Sequence, residues 1–134
     1  MTISSQVNNT IQLKLAFYSM AIAVVLGALA AHALKTFLPP VKIESFQTAV
    51  RYQMIHSLAI ILIALLEQNG FNISKWSYRL FQWGIFLFCG SIYLLSTTLI
   101  HGIEAARYLG PITPIGGVLF IAAWVLSARS LVNK

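Results

Sequence analysis

Residues 15–34 read LAFYSMAIAVVLGALAAHAL, a stretch without a single charged side chain. Wound as an α-helix at about 1.5 Å per residue, it extends roughly 30 Å, the thickness of a bilayer's hydrocarbon core. A chain of 134 residues has no soluble core large enough to hide such a segment, so the stretch reads as a membrane span. Ser19, Ala23, Gly27 and Ala31 recur at every fourth position and make a ridge of small residues suited to close helix packing. A polar tail, residues 1–12, precedes the span. Residues 28–33 also carry the small side chains of a signal-peptide cleavage site, with Lys14 as the positive flank. The packing ridge favours a retained helix over that alternative.

Working outward, Pro39-Pro40 stops the first helix and a second apolar run follows over 43–66. This run is unusual because Glu44 stands near its start and Arg51 further in. Asn69-Gly70 signals a turn, and Lys75, Trp76, Tyr78 and Arg79 read as interfacial anchors ahead of an uncharged third run, 80–100. After His101-Gly102, Glu104 and Arg107, the sequence Gly110-Pro111-Ile112-Thr113-Pro114-Ile115-Gly116-Gly117 opens a fourth run over 112–128. Thr113 is expected to cap that helix, with Pro114 in its first turn, where a missing amide hydrogen costs nothing. The expected fold is all-α: one integral membrane domain over 1–134, a bundle of four spanning helices.

Composition agrees, with 58% hydrophobic residues, 9% charged residues and a mean hydropathy of +0.80. The formal charge of +6 is scattered beside the apolar runs rather than gathered into a stripe, which argues for lipid headgroups as partners and against nucleic acid. Further copies of the chain or a larger membrane complex are the other partners this composition admits; a small-molecule ligand is not specified. The single cysteine, Cys89, sits inside an apolar run and reads as a small buried residue. Four crossings put both termini on one side. Lys14, Lys75, Arg79, Arg129 and Lys134 then face Lys35, Lys42 and Arg107 across the bilayer, once Arg51 is counted within it. That balance places both termini in the cytoplasm of a bacterium, with the chain in its inner, plasma membrane.

Polar residues concentrate at the end of the bundle formed by the loops between helices one and two and between helices three and four. On the second helix Thr48, Tyr52 and His56 share a face at i, i+4 spacing, with Gln47 and Arg51 beside them. Arg51 is expected inside the bundle, paired with Glu104 or Glu44, in a binding site completed by Tyr52, His56 and the first turn of the fourth helix. Glu67, at the other end, is expected to pair with Lys75 or Arg79. His32 and His101 fall near the membrane edge and His56 about 10 Å further in, too far apart for one metal whose bonds are about 2 Å. No metal, haem or other cofactor is therefore expected. Gly116 and Gly117 have two readings: amides that hold an anion, or close packing against a neighbouring helix. Ser57, Ser91 and Ser96 have no acidic partner in the membrane, and no phosphate loop or metalloprotease motif is present, so an enzyme is not expected.

Four blocks carry a family resemblance. They are residues 27–34 (GALAAHAL), residues 46–59 (FQTAVRYQMIHSLA), residues 90–95 (GSIYLL) and residues 110–117 (GPITPIGG). In this order they resemble the domain of unknown function family number 423, small bacterial inner-membrane proteins with a eukaryotic transmembrane relative. Family patterns tend to carry a further glycine where this chain has Ala30. The resemblance implies a multi-pass membrane protein and brings no activity, substrate or catalytic residue with it. Two functions fit the residues: a noncatalytic binding or assembly module using Arg51, Tyr52, His56, Gln47, His32, His101, Glu104, Thr113, Gly116 and Gly117, or an oligomeric transporter or channel. Proton-coupled transport usually exploits an acidic group inside the membrane, and no central segment contains one.

Overall fold

The computed structural model describes residues 3–131, with the side chains of 9–104 and 108–131. Four of its helices are long and apolar enough to cross a membrane: α1 (Ile3–Ala31), α2 (Pro40–Gln68), α3 (Lys75–Ser96) and α4 (Ile112–Ser130). The all-α, four-span reading of the sequence holds.

The stretch 1–12 is not a free tail, because α1 begins at Ile3. Its polar side chains are accommodated by partners on α2. The Asn9 amide donates to the Ala64 carbonyl at 3.0 Å and to Glu67 Oε2 at 3.1 Å, and Gln68 Nε2 donates to Asn9 Oδ1 at 3.2 Å. Asn9 opens a seam of positions seven apart: Asn9, Ala16, Ala23 and Ala30 are each at most 1% exposed. Facing them, Phe46, Gln53 and Ile60 on α2 are buried at the same interval. A seven-residue repeat on two antiparallel helices is the pattern of left-handed, closely meshed packing, and small side chains on α1 bring the backbones together. The expected ridge lies along this seam, with Ala23 at its centre and Gly27 against Val50.

α2 is the axis of the molecule. Half of its most apolar window is buried, against 17% for α1 and 22% for α4. Phe17, Ile22 and Val25 on α1 and Val118 and Ile121 on α4 point outward, apolar surface that a bilayer solvates.

The ends of the helices follow local chemistry. Pro39 and Pro40 start α2, where proline's fixed φ suits the first turn. Lys42 reaches across to donate to the Leu95 carbonyl at 3.2 Å, supplying a cation to the C-terminal end of α3. Gly70, at φ 89°, closes the Asn69-Gly70 turn. The Ser74 side chain accepts from the Trp76 amide and caps α3, so this helix begins before the expected 80. It ends at Ser96, short of the expected 100, because the chain breaks at Thr97 and 98–101 forms a separate turn terminated by Gly102 at φ 64°. Midway, Ile85–Cys89 is a π-helical segment.

Candidate functional site

Three polar groups lie along the membrane interior, built largely from side chains that each need a partner out of water. Near the α1 N-terminal end, Glu67 Oε2 accepts from Asn9 and from the Tyr78 hydroxyl at 2.8 Å. Its partners are thus neutral groups rather than Lys75 or Arg79; Arg79 instead sits over the Trp76 ring at 5.1 Å. Next along the seam, Gln82 donates to Gln12. Deepest, Gln53 Nε2 donates to the Ser19 carbonyl at 2.9 Å, Ser57 donates to Ser19 Oγ at 2.7 Å, and the Tyr93 hydroxyl donates to Gln53 Oε1 at 2.8 Å. One glutamine thereby ties α1, α2 and α3 together.

The junction of α2, α3 and α4 is aromatic. His56, 5% exposed, stacks on Phe120 with ring centroids 3.5 Å apart and planes 11° apart. Its Nδ1 lies 2.7 Å from the Tyr52 carbonyl, which can only accept, so Nδ1 carries the hydrogen. Tyr52 packs on Phe88 at 4.6 Å and remains 41% exposed. Phe88 belongs to the π segment, and Gly116 lies so close to it that a Cβ there would stand 2.4 Å from the Phe88 nitrogen. Of the two readings of Gly116, close packing accounts for its position. Ser91 donates to the Phe88 carbonyl at 3.0 Å and is 2.6 Å from Thr113 Oγ1. Thr113 therefore bridges to α3 and does not cap α4, whose N-cap is Pro111 without a side-chain bond. The helix starts two residues earlier than a Thr113 cap would require.

The structure brings Tyr52, His56, Gly116 and Thr113 into this one region, with Gly117 beside Phe88. It does not bring Arg51 with them. Arg51 is exposed, and its Nη2 donates to Thr48 Oγ1 at 3.0 Å. Because helical side chains lean toward their helix's N-terminus, the guanidinium is carried toward the membrane edge. The expected internal placement of Arg51 gives way to an outward one.

The remaining candidates lie at the loop end. His32 is exposed. His101 closes the chain reversal after α3, with Nδ1 accepting from the Ile103 amide and Nε2 donating to the Leu94 carbonyl, both at 3.0 Å. Glu104 lines an open cavity of about 520 Å³ with Thr98, Leu99, Gly102 and Ile103. Gln47 lines a second, of about 460 Å³, with Lys35, Leu38, Pro40, Ile43 and Glu44.

Sequence reasoning missed the Gln53 hub. Its signal was the seven-residue interval from Phe46 through Gln53 to Ile60, which puts a polar residue at a core position opposite Ser19.

The family model described as "Protein of unknown function (DUF423)" matches residues 26–117. The chain is 38% identical over 107 residues to the UPF0382 membrane protein YwdK of Bacillus subtilis, covering 78% of this chain and 82% of that one. It is 37% identical over 106 residues to the UPF0382 inner membrane protein YgdD of Escherichia coli, covering 78% and 76% respectively. A UPF0382 membrane protein of Staphylococcus haemolyticus is 39% identical over 100 residues, covering 75% and 77%. No solved structure matches the chain.

Proposed function

The chain belongs to the DUF423 family of membrane proteins, and from that premise we propose that it is a noncatalytic binding or assembly module. Its contact surface is the end formed by the α1–α2 and α3–α4 loops. One contrast carries the reading. The polar side chains in the interior are largely engaged with one another, whereas the charged groups at the loop end face outward, with Lys35 and Glu44 around one cavity and Glu104 around another. A transport pathway needs polar groups free to meet the transported species, and the interior hydrogen bonds leave few for that task.

We place the protein in a bacterial inner membrane with both termini cytoplasmic, supported by the inner-membrane relative and the basic-residue balance. Lys134 and the Arg107 side chain, both in that balance, lie outside the described residues.

Native mass spectrometry of the protein extracted with its own lipids tests the reading. The expected result is a bound subunit or lipid retained by the wild type and lost on Arg51→Gln, with helical content unchanged. Solute or ion flux through proteoliposomes holding the purified protein alone would replace the module with a transporter.

A further inference from the structure

We propose that the cavity between the α1–α2 loop and the first turns of α2 holds the headgroup of an aminophospholipid, one bearing both a primary ammonium and a phosphate, as phosphatidylethanolamine does. This rests on reading the loop end as a binding surface and names its ligand class. The cavity measures about 460 Å³ and is lined by Lys35, Leu38, Pro40, Ile43, Glu44 and Gln47. Volumes of this order are typical of small-molecule sites.

Its charges are the decisive feature. A cation and a carboxylate line one concavity, yet among the described residues neither Lys35 nor the Glu44 carboxylate has a hydrogen-bond or ion-pair partner. The Thr48 hydroxyl goes to the Glu44 main-chain carbonyl, leaving the carboxylate oxygens open. Gln47, three residues on from Glu44 and so on the same side of α2, adds an amide that can both donate and accept.

Depth supplies the rest. Lys35 follows the last turn of α1 and Glu44 lies in the second turn of α2, where both helices leave the apolar layer. Phe37 and Val41, 68% and 66% exposed, turn apolar side chains outward at the same level, while Leu38 and Ile43 form a buried apolar floor. A phosphate fits Lys35 and an ammonium with three N–H donors fits Glu44. An anionic glycerol headgroup would leave Glu44 facing a like charge. Choline would reach the carboxylate with methyl groups that cannot donate.

The test uses the full chain in nanodiscs containing equal amounts of phosphatidylethanolamine, phosphatidylcholine and phosphatidylglycerol, with retained lipid counted by native mass spectrometry. Phosphatidylethanolamine should be retained in preference to both others. Lys35→Gln should lower retention of all three about fivefold, the worth of one basic contact near a membrane surface. Glu44→Gln should erase the preference for ethanolamine over choline without lowering choline retention. The exchange Lys35→Glu with Glu44→Lys keeps both charges and should keep the preference, which separates recognition from misfolding. Equal retention of ethanolamine and choline lipids by the wild type, or an undiminished preference in Glu44→Gln, would overturn the proposal. Displacement of bound lipid by millimolar soluble phosphoethanolamine would overturn the lipid assignment in favour of a water-soluble ligand. If the headgroup preference is absent while a protein subunit still co-purifies, the module stands and only its lipid specificity falls.

Discussion

Arg51 is seven residues beyond Glu44 on α2, yet its guanidinium is bonded to Thr48, almost a turn nearer the membrane edge. Periodicity in the sequence correctly grouped Thr48, Tyr52 and His56 on one side. It could not tell which edge of that side turns inward, and the answer is set by Phe120 and Phe88 on the neighbouring helices, which take His56 and leave Tyr52 half open. Since a lysine stem can also carry its charge to the headgroups, Arg51→Lys should match the wild type in folded yield and thermal midpoint in detergent. A loss as large as that of Arg51→Gln would show that guanidinium geometry itself matters. Gln53 is the opposite case, a neutral residue with structural weight. Gln53→Leu should cost about 1 kcal/mol in a denaturant titration, and Tyr93→Phe a similar amount. Combined, the two should be clearly less than additive, because each removes the same bond. Full additivity would mean that the bond contributes nothing.

At the scale of the helices, the glycine pair entering α4 gives a sharp contrast. A Cβ on Gly116 would meet the Phe88 main chain at 2.4 Å, whereas one on Gly117 would meet the Phe88 ring at an ordinary 3.8 Å. Gly116→Ala should therefore destabilise by about 1–3 kcal/mol through overpacking, and Gly117→Ala by much less, as read from the unfolding midpoint. Equal effects would show that α4 does not rest on Phe88. The number and approximate limits of the helices were legible because uncharged runs, prolines and Asn69-Gly70 are local signals. The π segment was hidden, although its trace is visible afterward. Tyr78, Phe81 and Gly84 are buried at intervals of three, Cys89 follows after five, and Ser96 after seven more, so the inward stripe slips by one residue at Ile85–Cys89. Deleting Leu87 should let α3 run straight and turn its second half by about 100°, separating Tyr93 from Gln53. The expected result is a loss of folded yield greater than that of Gln53→Leu.

For the molecule as a whole, cysteine-accessibility labelling should find positions 35–42 and 104–108 on one side of the membrane and 68–76 on the other. Opposite-side labelling of the first two groups would break the four-span arrangement. Which helices neighbour one another was not legible, because an apolar side chain facing lipid and one facing protein look alike in sequence. The hydrogen bonds carry information about time as well as space. As the chain emerges from the ribosome, α1 and α2 already bring Ser19 to Gln53 and Ser57, and Asn9 to Glu67, so the first hairpin enters the bilayer with much of its polar cargo matched. α3 then adds Tyr93 and Tyr78 as second partners, and α4 arrives with a hydroxyl for Ser91 and a glycine for Phe88. Biogenesis can thus proceed in the order of synthesis, each newcomer docking on a surface its predecessors have already completed.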